Sequence, residues 1–119
     1  KWYNGGTYIT TNAFRDGVNA GLLNTEKIIL SQGAGNYAAQ IAANYKGGGY
    51  GDWYLPSKGE LELLWNNRLL ISGSGYNSAH EYWSSTETNE SYAYKMQTNG
   101  GVGWTQKTSL CFVLPIRKF

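Results

Sequence analysis

Residues 47–65 have the sequence GGGYGDWYLPSKGELELLW, which predicts a turn, a short buried strand and a helix in direct succession. The four glycines between positions 47 and 51 let the backbone turn at little steric cost. The bulky residues 53–55 favour a buried strand, and Pro56 should end it because proline cannot donate a ladder hydrogen bond. Since none of these side chains is an obvious nucleophile or base, we interpret the role of this stretch as structural and not catalytic.

The helix in this stretch begins with a capping-box pattern, Ser57-Lys58-Gly59-Glu60. We expect the Ser57 hydroxyl to accept a hydrogen bond from the backbone N–H of Glu60. The Glu60 carboxylate should accept one in return from the backbone N–H of Ser57. Leu61, Leu64 and Trp65 follow at helical spacing, so the helix should have one apolar face.

The composition predicts a single compact domain that is rich in loops. The chain has 119 residues, of which only 15% are charged, with 16 glycines, 10 tyrosines and 5 tryptophans. Low charge and many aromatic residues argue against a disordered chain or a helical bundle. No apolar run approaches the about 18 residues of a transmembrane helix, so we expect no membrane insertion. A formal net charge of +2 does not by itself predict a polyanion partner, and we expect no nucleic acid.

The sequence contains few residues suited to metal binding or catalysis. Its single cysteine, Cys111, cannot form an internal disulfide and lies in the apolar run 110–114, which predicts a buried strand and a shielded thiol. Zinc sites need clusters of Cys or His, and the only other such residue is His80. His80 is also the only candidate base, and a hydrolase that uses His80 and Glu81 is an alternative. We predict a protein that is not an enzyme and needs no metal or cofactor.

The first half of the chain predicts mainly helices. The pattern around Asn4-Gly5 is typical of a β-hairpin at residues 1–11, and residues 12–23 hold several turn signals, so we predict a loop there. Two helices should follow at 24–31 and 37–45, the first capped by Asn24 or Thr25 and the second by Asn36. The side chains expected to face inward from the first helix are Ile28, Ile29 and Leu30.

The second half predicts antiparallel strands at 82–87, 92–98, 102–107 and 110–114, with a hairpin turn at 99–101. Residues 92–98 alternate, which places Tyr92, Tyr94 and Met96 on one face of the sheet. Since helices come early and strands come late, the fold class should be α+β rather than alternating βαβ units.

Several blocks of the sequence resemble a known bacterial family. They are Ala38-Ala39-Gln40, the run DWYLPS at 52–57, the run WSSTE at 83–87 and the closing Pro115-Ile116-Arg117. In this order they are similar to the family named for the C-terminal domain of the Legionella collagen-like protein. The resemblance covers residues 24–119 and implies one C-type-lectin-like domain over 1–119, with short helices packed on a twisted antiparallel sheet. Asp52 and Arg117 both lie in these blocks, so we expect them to form an ion pair.

The resemblance also implies a function. The member for which the family is named bears this domain after a collagen triple helix, as a secreted homotrimer that binds sulfated glycosaminoglycans. We therefore expect an adhesin domain at the bacterial cell surface, forming the C-terminal part of a longer secreted protein. The chain itself contains no Gly-X-Y repeat.

Sulfates should pair with Arg and Lys side chains as phosphates do. The residues predicted to bind the glycosaminoglycan are Arg15, Lys27, Lys46, Lys95, Lys107 and Lys118. They form no linear basic run, so a basic surface would have to assemble in three dimensions. A homotrimer would present three copies of it and raise the avidity without new contacts.

Two other kinds of ligand are possible for this fold. Calcium-dependent lectins hold the ion with carboxylates and amides beside a proline, but Pro56 has no such neighbours and Trp65-Asn66-Asn67 lacks a carboxylate, so we expect no calcium site. The alternative function is a protein-binding display module with an aromatic face rich in Asn and Ser. That face would include Tyr92, Asn99 and Trp104, and its binding would survive high salt.

Overall fold

Within the residues that the structure describes, three α-helices are followed by a three-stranded antiparallel sheet. The structure is a computed structural model, and it describes residues 1–5, 9–17, 19–67, 80–98 and 101–117. The helices are α1 (Ala20–Gln32), α2 (Ala38–Asn44) and α3 (Lys58–Asn66), and the strands are β1 (Tyr82–Glu87), β2 (Tyr92–Met96) and β3 (Val102–Gln106). The predicted α+β class is therefore confirmed.

The strands lie in the order β1–β2–β3, and both neighbouring pairs are antiparallel. β2 and β3 pair in continuous register, with Tyr94 opposite Trp104. The pairing of β1 with β2 is irregular between Trp83 and Glu87. All three strands were predicted, although β2 and β3 end earlier than expected. Two of the three residues of the predicted hairpin turn, 99 and 100, lie outside the described residues.

Strand β1 lies at the centre of the fold, and all six of its residues are buried. One edge pairs with β2, and the backbone N–H groups of the other edge donate to irregular segments. Trp83 donates to Phe112 (3.0 Å), Ser85 to Pro56 (2.7 Å) and Glu87 to Ala13 (2.7 Å). The polar side chains of β1 also have partners, since the Ser84 hydroxyl donates to the Tyr94 carbonyl and the Thr86 hydroxyl to the Arg15 carbonyl, both at 2.8 Å, so a strand with four polar residues can occupy the core.

The core has two parts. The larger part contains the aromatic side chains of Trp2, Tyr37 and Trp83, together with Ile28 of α1 and three of the four alanines of α2. The small side chains of α2 let it pack closely. The smaller part joins Leu61 of α3 to Tyr82 and Met96 of the sheet, so α3 packs on β1 and β2.

The N-terminal segment does not form the predicted hairpin. Residues 1–5 and 9–11 contain no strand; Trp2 is fully buried instead, and its indole N–H donates to the Ser84 carbonyl at 2.7 Å. The Asn4 side chain, expected in a hairpin turn, donates to the carbonyls of Gln32 (2.8 Å) and Ala34 (3.0 Å). Burial of the large Trp2 ring therefore outweighs the local turn preference of Asn4-Gly5.

Helix α1 begins at Ala20, so the predicted loop at 12–23 is wrong at its end. Asn24 and Thr25 are not caps but buried side chains within the helix. Asn24 forms hydrogen bonds with both the N–H and the carbonyl of Arg15, and the Thr25 hydroxyl accepts from the N–H of Leu55 at 3.0 Å. Both residues thus hold neighbouring segments against α1.

Three further expectations about the helices and the C-terminal run are wrong. Leu30, expected to face inward, is 85% exposed, and Asn36 does not cap α2, whose N-cap residue is Tyr37. The run 110–114 forms no strand beyond one bridging residue, Phe112. Its side chains alternate instead: Leu110 and Phe112 are exposed while Cys111 and Val113 pack on the core. A uniformly apolar run therefore does not mean burial on both faces.

Glu60 joins the N-termini of α3 and α1. The capping box is confirmed, since the Ser57 hydroxyl accepts from the N–H of Glu60 (3.3 Å) and the Glu60 carboxylate accepts from the N–H of Ser57 (3.0 Å). The same carboxylate accepts from the N–H groups of Gly21 (3.0 Å) and Asn19 (3.2 Å), where α1 begins, and from the Tyr54 hydroxyl (3.1 Å). Because helix N-termini favour negative charge, one buried carboxylate stabilises two helices.

Candidate functional site

Three of the predicted glycosaminoglycan-binding residues are exposed cations. Arg15 lies before α1, Lys27 lies on α1, and Lys46 lies between α2 and the following glycines. Within the described part of the chain, none of these three side chains forms an ion pair. Their charges are therefore available to an anionic ligand. Lys118 falls outside the described residues.

Lys95 is a less suitable candidate. Its ammonium nitrogen lies 3.0 and 3.1 Å from the two carboxylate oxygens of Glu81, and its side chain is mostly shielded from solvent. An anionic ligand would have to compete with Glu81 for this ammonium group. We therefore expect Lys95 to contribute less to anion binding than the three exposed cations.

Lys107 corrects the sequence prediction, because it is buried and cannot belong to a surface patch. Its side chain is 1% exposed, and Nζ lies 2.6 Å from a carboxylate oxygen of Glu87. Nζ also donates to the Ile9 carbonyl at 3.1 Å and lies 4.6 Å from the centre of the Trp2 ring. Burial lowers the pKa of Lys107 below 10.5, and this effect is larger than that of the hydrogen bond to Glu87, which raises the pKa.

Glu87 has further partners in the N-terminal segment. Its carboxylate accepts hydrogen bonds from the backbone N–H of Thr11 (2.9 Å), the Thr11 hydroxyl (3.0 Å) and the N–H of Asn12 (3.2 Å). These residues are about 75 positions away in sequence, so neither the burial of Lys107 nor that of Glu87 has a local signal. The pair fastens the N-terminal segment to β1 and the chain after β3.

Three aromatic side chains, Tyr45, Tyr50 and Trp53, surround the turn at Gly47–Gly49; we call them the aromatic face. Tyr45 and Tyr50 are 46% and 50% exposed, and Trp53 is half-buried. The rings of Tyr45 and Trp53 meet edge to face, with their centres 4.9 Å apart and their planes at 77°. The Trp53 indole N–H donates to the Gly47 carbonyl at 3.1 Å, which ties the face to the turn.

Arg117 and Asp52 form the predicted ion pair beside the aromatic face. Nε and one terminal nitrogen of Arg117 donate to the two oxygens of Asp52 at 2.7 and 3.0 Å. The guanidinium carbon also lies 3.6 Å from the centre of the Tyr50 ring. The hydrogen bond from Arg117 lowers the pKa of Asp52 below 3.8, and the same bond raises the pKa of Arg117.

The residues considered for catalysis or metal binding have other partners: Glu81 pairs with Lys95, and His80 packs on an aromatic ring. The His80 ring stacks on the Phe112 ring, with the centres 3.9 Å apart and the planes 8° from parallel. Burial raises the pKa of the Cys111 thiol to about 11, so the thiol is protonated at neutral pH, which is consistent with a shielded cysteine. Among the described residues, no three His, Cys, Asp or Glu side chains come together as a metal site would require.

The aromatic face was not predicted from the sequence. Tyr45 and Tyr50 flank the glycine run, and this proximity was a usable signal, because glycines often allow close approach of backbone and ring. The sequence predicts one buried strand at residues 53–55, whereas in the structure only Tyr54 forms a bridge, with Ile116. Trp53 was therefore predicted to be buried, whereas it is half-buried.

A comparison with protein-family models, with curated proteins and with solved structures finds no match to the chain. The family resemblance and the C-type-lectin-like topology therefore stay predictions from sequence. No helix in the described part of the chain is both long and apolar enough to cross a bilayer.

Proposed function

We propose that the chain is a C-type-lectin-like adhesin domain, without enzymatic activity, that binds sulfated glycosaminoglycans at the bacterial cell surface. The observation that best supports this proposal is the availability of Arg15, Lys27 and Lys46. All three are exposed, and none of them pairs with a carboxylate among the described residues. Arg and Lys side chains in this state are suited to pair with sulfate groups.

The distribution of charge between the interior and the rest of the chain strengthens the proposal. Among the described residues, the buried charged groups are the carboxylates of Glu60 and Glu87 and the ammonium of Lys107, which together have a formal net charge of −1. Because the whole chain has a formal net charge of +2, the other side chains together have +3. Burial of two acids thus leaves the remainder more basic than the composition suggests, which favours association with a polyanion.

The proposal includes a secreted homotrimer, in which each polyanion chain meets three copies of the basic residues. Binding at one copy raises the effective concentration for the next, so weak individual contacts add up to useful avidity. Light scattering at high protein concentration measures the assembly directly. A monomer mass would contradict the trimer. Binding of glycosaminoglycan by a single domain is tested separately, by heparin-affinity chromatography.

Heparin-affinity chromatography tests the binding itself. We expect the domain to bind heparin at about 50 mM salt and to elute at moderate salt, because counterion release makes such binding strongly salt-dependent. Alanine at Arg15, Lys27 or Lys46 should shift elution to lower salt. The matched control is Lys58→Ala, which removes the same charge from a lysine that already pairs with Asp16 at 3.5 Å, and it should shift elution less. Flow-through of the folded domain would contradict the proposal.

The protein-binding display module is a second candidate because of Trp104. This residue is 62% exposed on β3, which pairs only with β2 among the described strands. Exposed tryptophans are frequent in the centres of protein interfaces. A protein ligand held by such a residue would stay bound at high salt, whereas a sulfated polysaccharide would be released, so salt dependence discriminates between the two functions.

A further inference from the structure

We infer that the aromatic face, together with Asp52, Arg117 and Lys46, is the docking site for a sugar ring of an acidic saccharide. The inference rests on the proposed function and deepens it, since the exposed cations alone would bind any polyanion. A site that combines rings with both signs of charge distinguishes a saccharide from a simple chain of anionic groups. The described residues contain all of these parts within the segment 45–53 and Arg117.

The rings offer the contact area that a pyranose needs. A sugar ring presents C–H groups on its faces, and the negative face of an aromatic ring attracts such weakly positive hydrogens. Tyr45 and Tyr50 are about half exposed, although the backbone at Gly47 lies against one side of the Tyr45 ring and Arg117 against one face of the Tyr50 ring, so a sugar would contact the opposite faces. Tyrosine is well suited to this contact because it is rigid, with only two side-chain torsions to order on binding.

The face is organised before any ligand arrives. A Cβ atom at Gly47 would overlap the hydroxyl oxygen and ring carbons of Tyr45, so only glycine lets this ring lie against the backbone. Gly48 and Gly49 have φ values of +67° and +81°, which glycine adopts without strain. The Trp53 indole holds the same turn by its bond to the Gly47 carbonyl. Preorganisation of this kind lowers the entropic cost of binding.

Charged groups border the rings. Arg117 uses Nε and one terminal nitrogen for Asp52, and among the described contacts its other terminal nitrogen is available to a carboxylate or sulfate. The Lys46 ammonium lies beside Gly51, 3.4 Å from the point that a Cβ atom on this glycine would occupy, which places a second cation on the same segment. The oxygens of Asp52 can also accept hydrogen bonds from sugar hydroxyls. These groups fit a ring bearing both hydroxyls and an acidic substituent.

A heparin octasaccharide titrated into the whole domain by calorimetry, at several salt concentrations, tests the inference. Tyr50→Leu removes the aromatic ring but keeps an apolar side chain, and it should weaken binding about tenfold at every salt concentration. Tyr50→Phe keeps the ring and should bind like the original protein. Lys46→Ala should instead reduce the slope of log K against log salt by about 1, because it removes one ionic contact.

Phe14→Leu is the matched control, since Phe14 is 49% exposed against 50% for Tyr50 but lies outside the aromatic face. Circular dichroism and thermal melting of each variant exclude unfolding as the cause of lost affinity. If Tyr50→Leu binds as tightly as Phe14→Leu while the domain still binds heparin, the inference fails and the proposed function stands. If the original domain does not bind at about 50 mM salt, the proposed function fails and the inference falls with it.

Discussion

Glu60 and Glu87 are both buried carboxylates, but different groups compensate their charges. Glu60 accepts hydrogen bonds from three backbone N–H groups and from the Tyr54 hydroxyl, and no cation contacts it among the described residues. Glu87 accepts from the N–H groups of Thr11 and Asn12 and from the Thr11 hydroxyl, and it also pairs with the Lys107 ammonium. The two sites therefore show two solutions to the same problem.

The difference follows from the position of each carboxylate in the fold. Glu60 lies where two helices begin, and the unpaired N–H groups of a helix N-terminus already provide positive potential. Glu87 ends a strand, and none of its donors among the described residues is a helix N–H group, so the Lys107 cation offsets part of the cost of burying its charge. The N–H groups at helix termini thus take the place at Glu60 that the Lys107 ammonium has at Glu87.

The largest expected effect comes from removing the cation at the Glu87 site. In Lys107→Met, only neutral hydrogen-bond donors contact Glu87. Glu60 also has only neutral donors, but three of them lie at helix N-termini. We expect a loss of about 3–5 kcal/mol in the free energy of unfolding, measured with urea, because breaking one partner of a buried pair leaves an uncompensated charge. The double variant Lys107→Met with Glu87→Gln should recover more than half of that loss. A single-variant loss below about 1 kcal/mol would mean that the neutral donors suffice without a helix.

The second prediction concerns the Glu60 site. Glu60→Gln keeps the shape but replaces one acceptor oxygen by an N–H₂ donor that faces backbone donors. We expect a loss of about 2 kcal/mol, typical of hydrogen bonds to charged groups. Hydrogen exchange should also speed up at both Gly21 and Ser57, since the carboxylate holds both helix termini. Glu62→Gln, an exposed position on the same helix, is the control and should change stability by less than about 0.5 kcal/mol. Unchanged exchange at Gly21 would show that α1 does not depend on Glu60.

The third prediction uses pH to probe the Tyr54 hydroxyl, which donates a hydrogen bond to Glu60. Burial, and to a smaller extent Glu60, raise the pKa of Tyr54 from 10.0 to about 12. Between pH 10 and 12 the unfolded chain loses this proton while the folded chain keeps it, so stability falls as pH rises through that window. A shift of two pKa units corresponds to at most about 2.7 kcal/mol, and this contribution should be absent in Tyr54→Phe, whose unfolding free energy should change less over the same range. Parallel curves for the two proteins would contradict the assignment.

The two sites also differ in how far the sequence could predict them. The capping box of Glu60 depends on a spacing of three residues, and it was predicted with both of its hydrogen bonds. The additional donors from Asn19, Gly21 and Tyr54 required knowledge of where α1 begins. The start of α1 was predicted at Asn24 or Thr25, later than Ala20, because residues 12–23 are rich in turn formers and have no helical periodicity.

Nothing in the sequence near Lys107 or Glu87 predicts burial. Lys107 follows an edge strand and resembles an ordinary surface lysine, which explains its place in the predicted glycosaminoglycan patch. The contacts that bury it come from Trp2 and Ile9, about 100 positions away along the chain. Strand β1 was predicted from the pattern of its own residues. The ion pair of Asp52 with Arg117 was predicted because both residues lie in blocks that resemble the family. Local patterns thus predicted local structure, while the long-range packing of the N-terminal segment had no local signal.

The smallest effect should come from a third carboxylate, Asp52, which pairs with Arg117 at the surface. Asp52→Asn removes the charge from a pair that water and salt already screen, so it should lower the melting temperature less than the changes at Glu60 or Glu87. The loss should shrink further at high salt, with Glu26→Gln, at an exposed position of α1, as the control for general charge effects. Because Arg117 lowers the pKa of Asp52 below 3.8, the contribution is present above pH 3.8 and disappears as pH falls through the lowered pKa. A loss as large as that of Lys107→Met would show that an exposed pair can equal a buried one, and the ranking of the three carboxylates by burial would then be wrong.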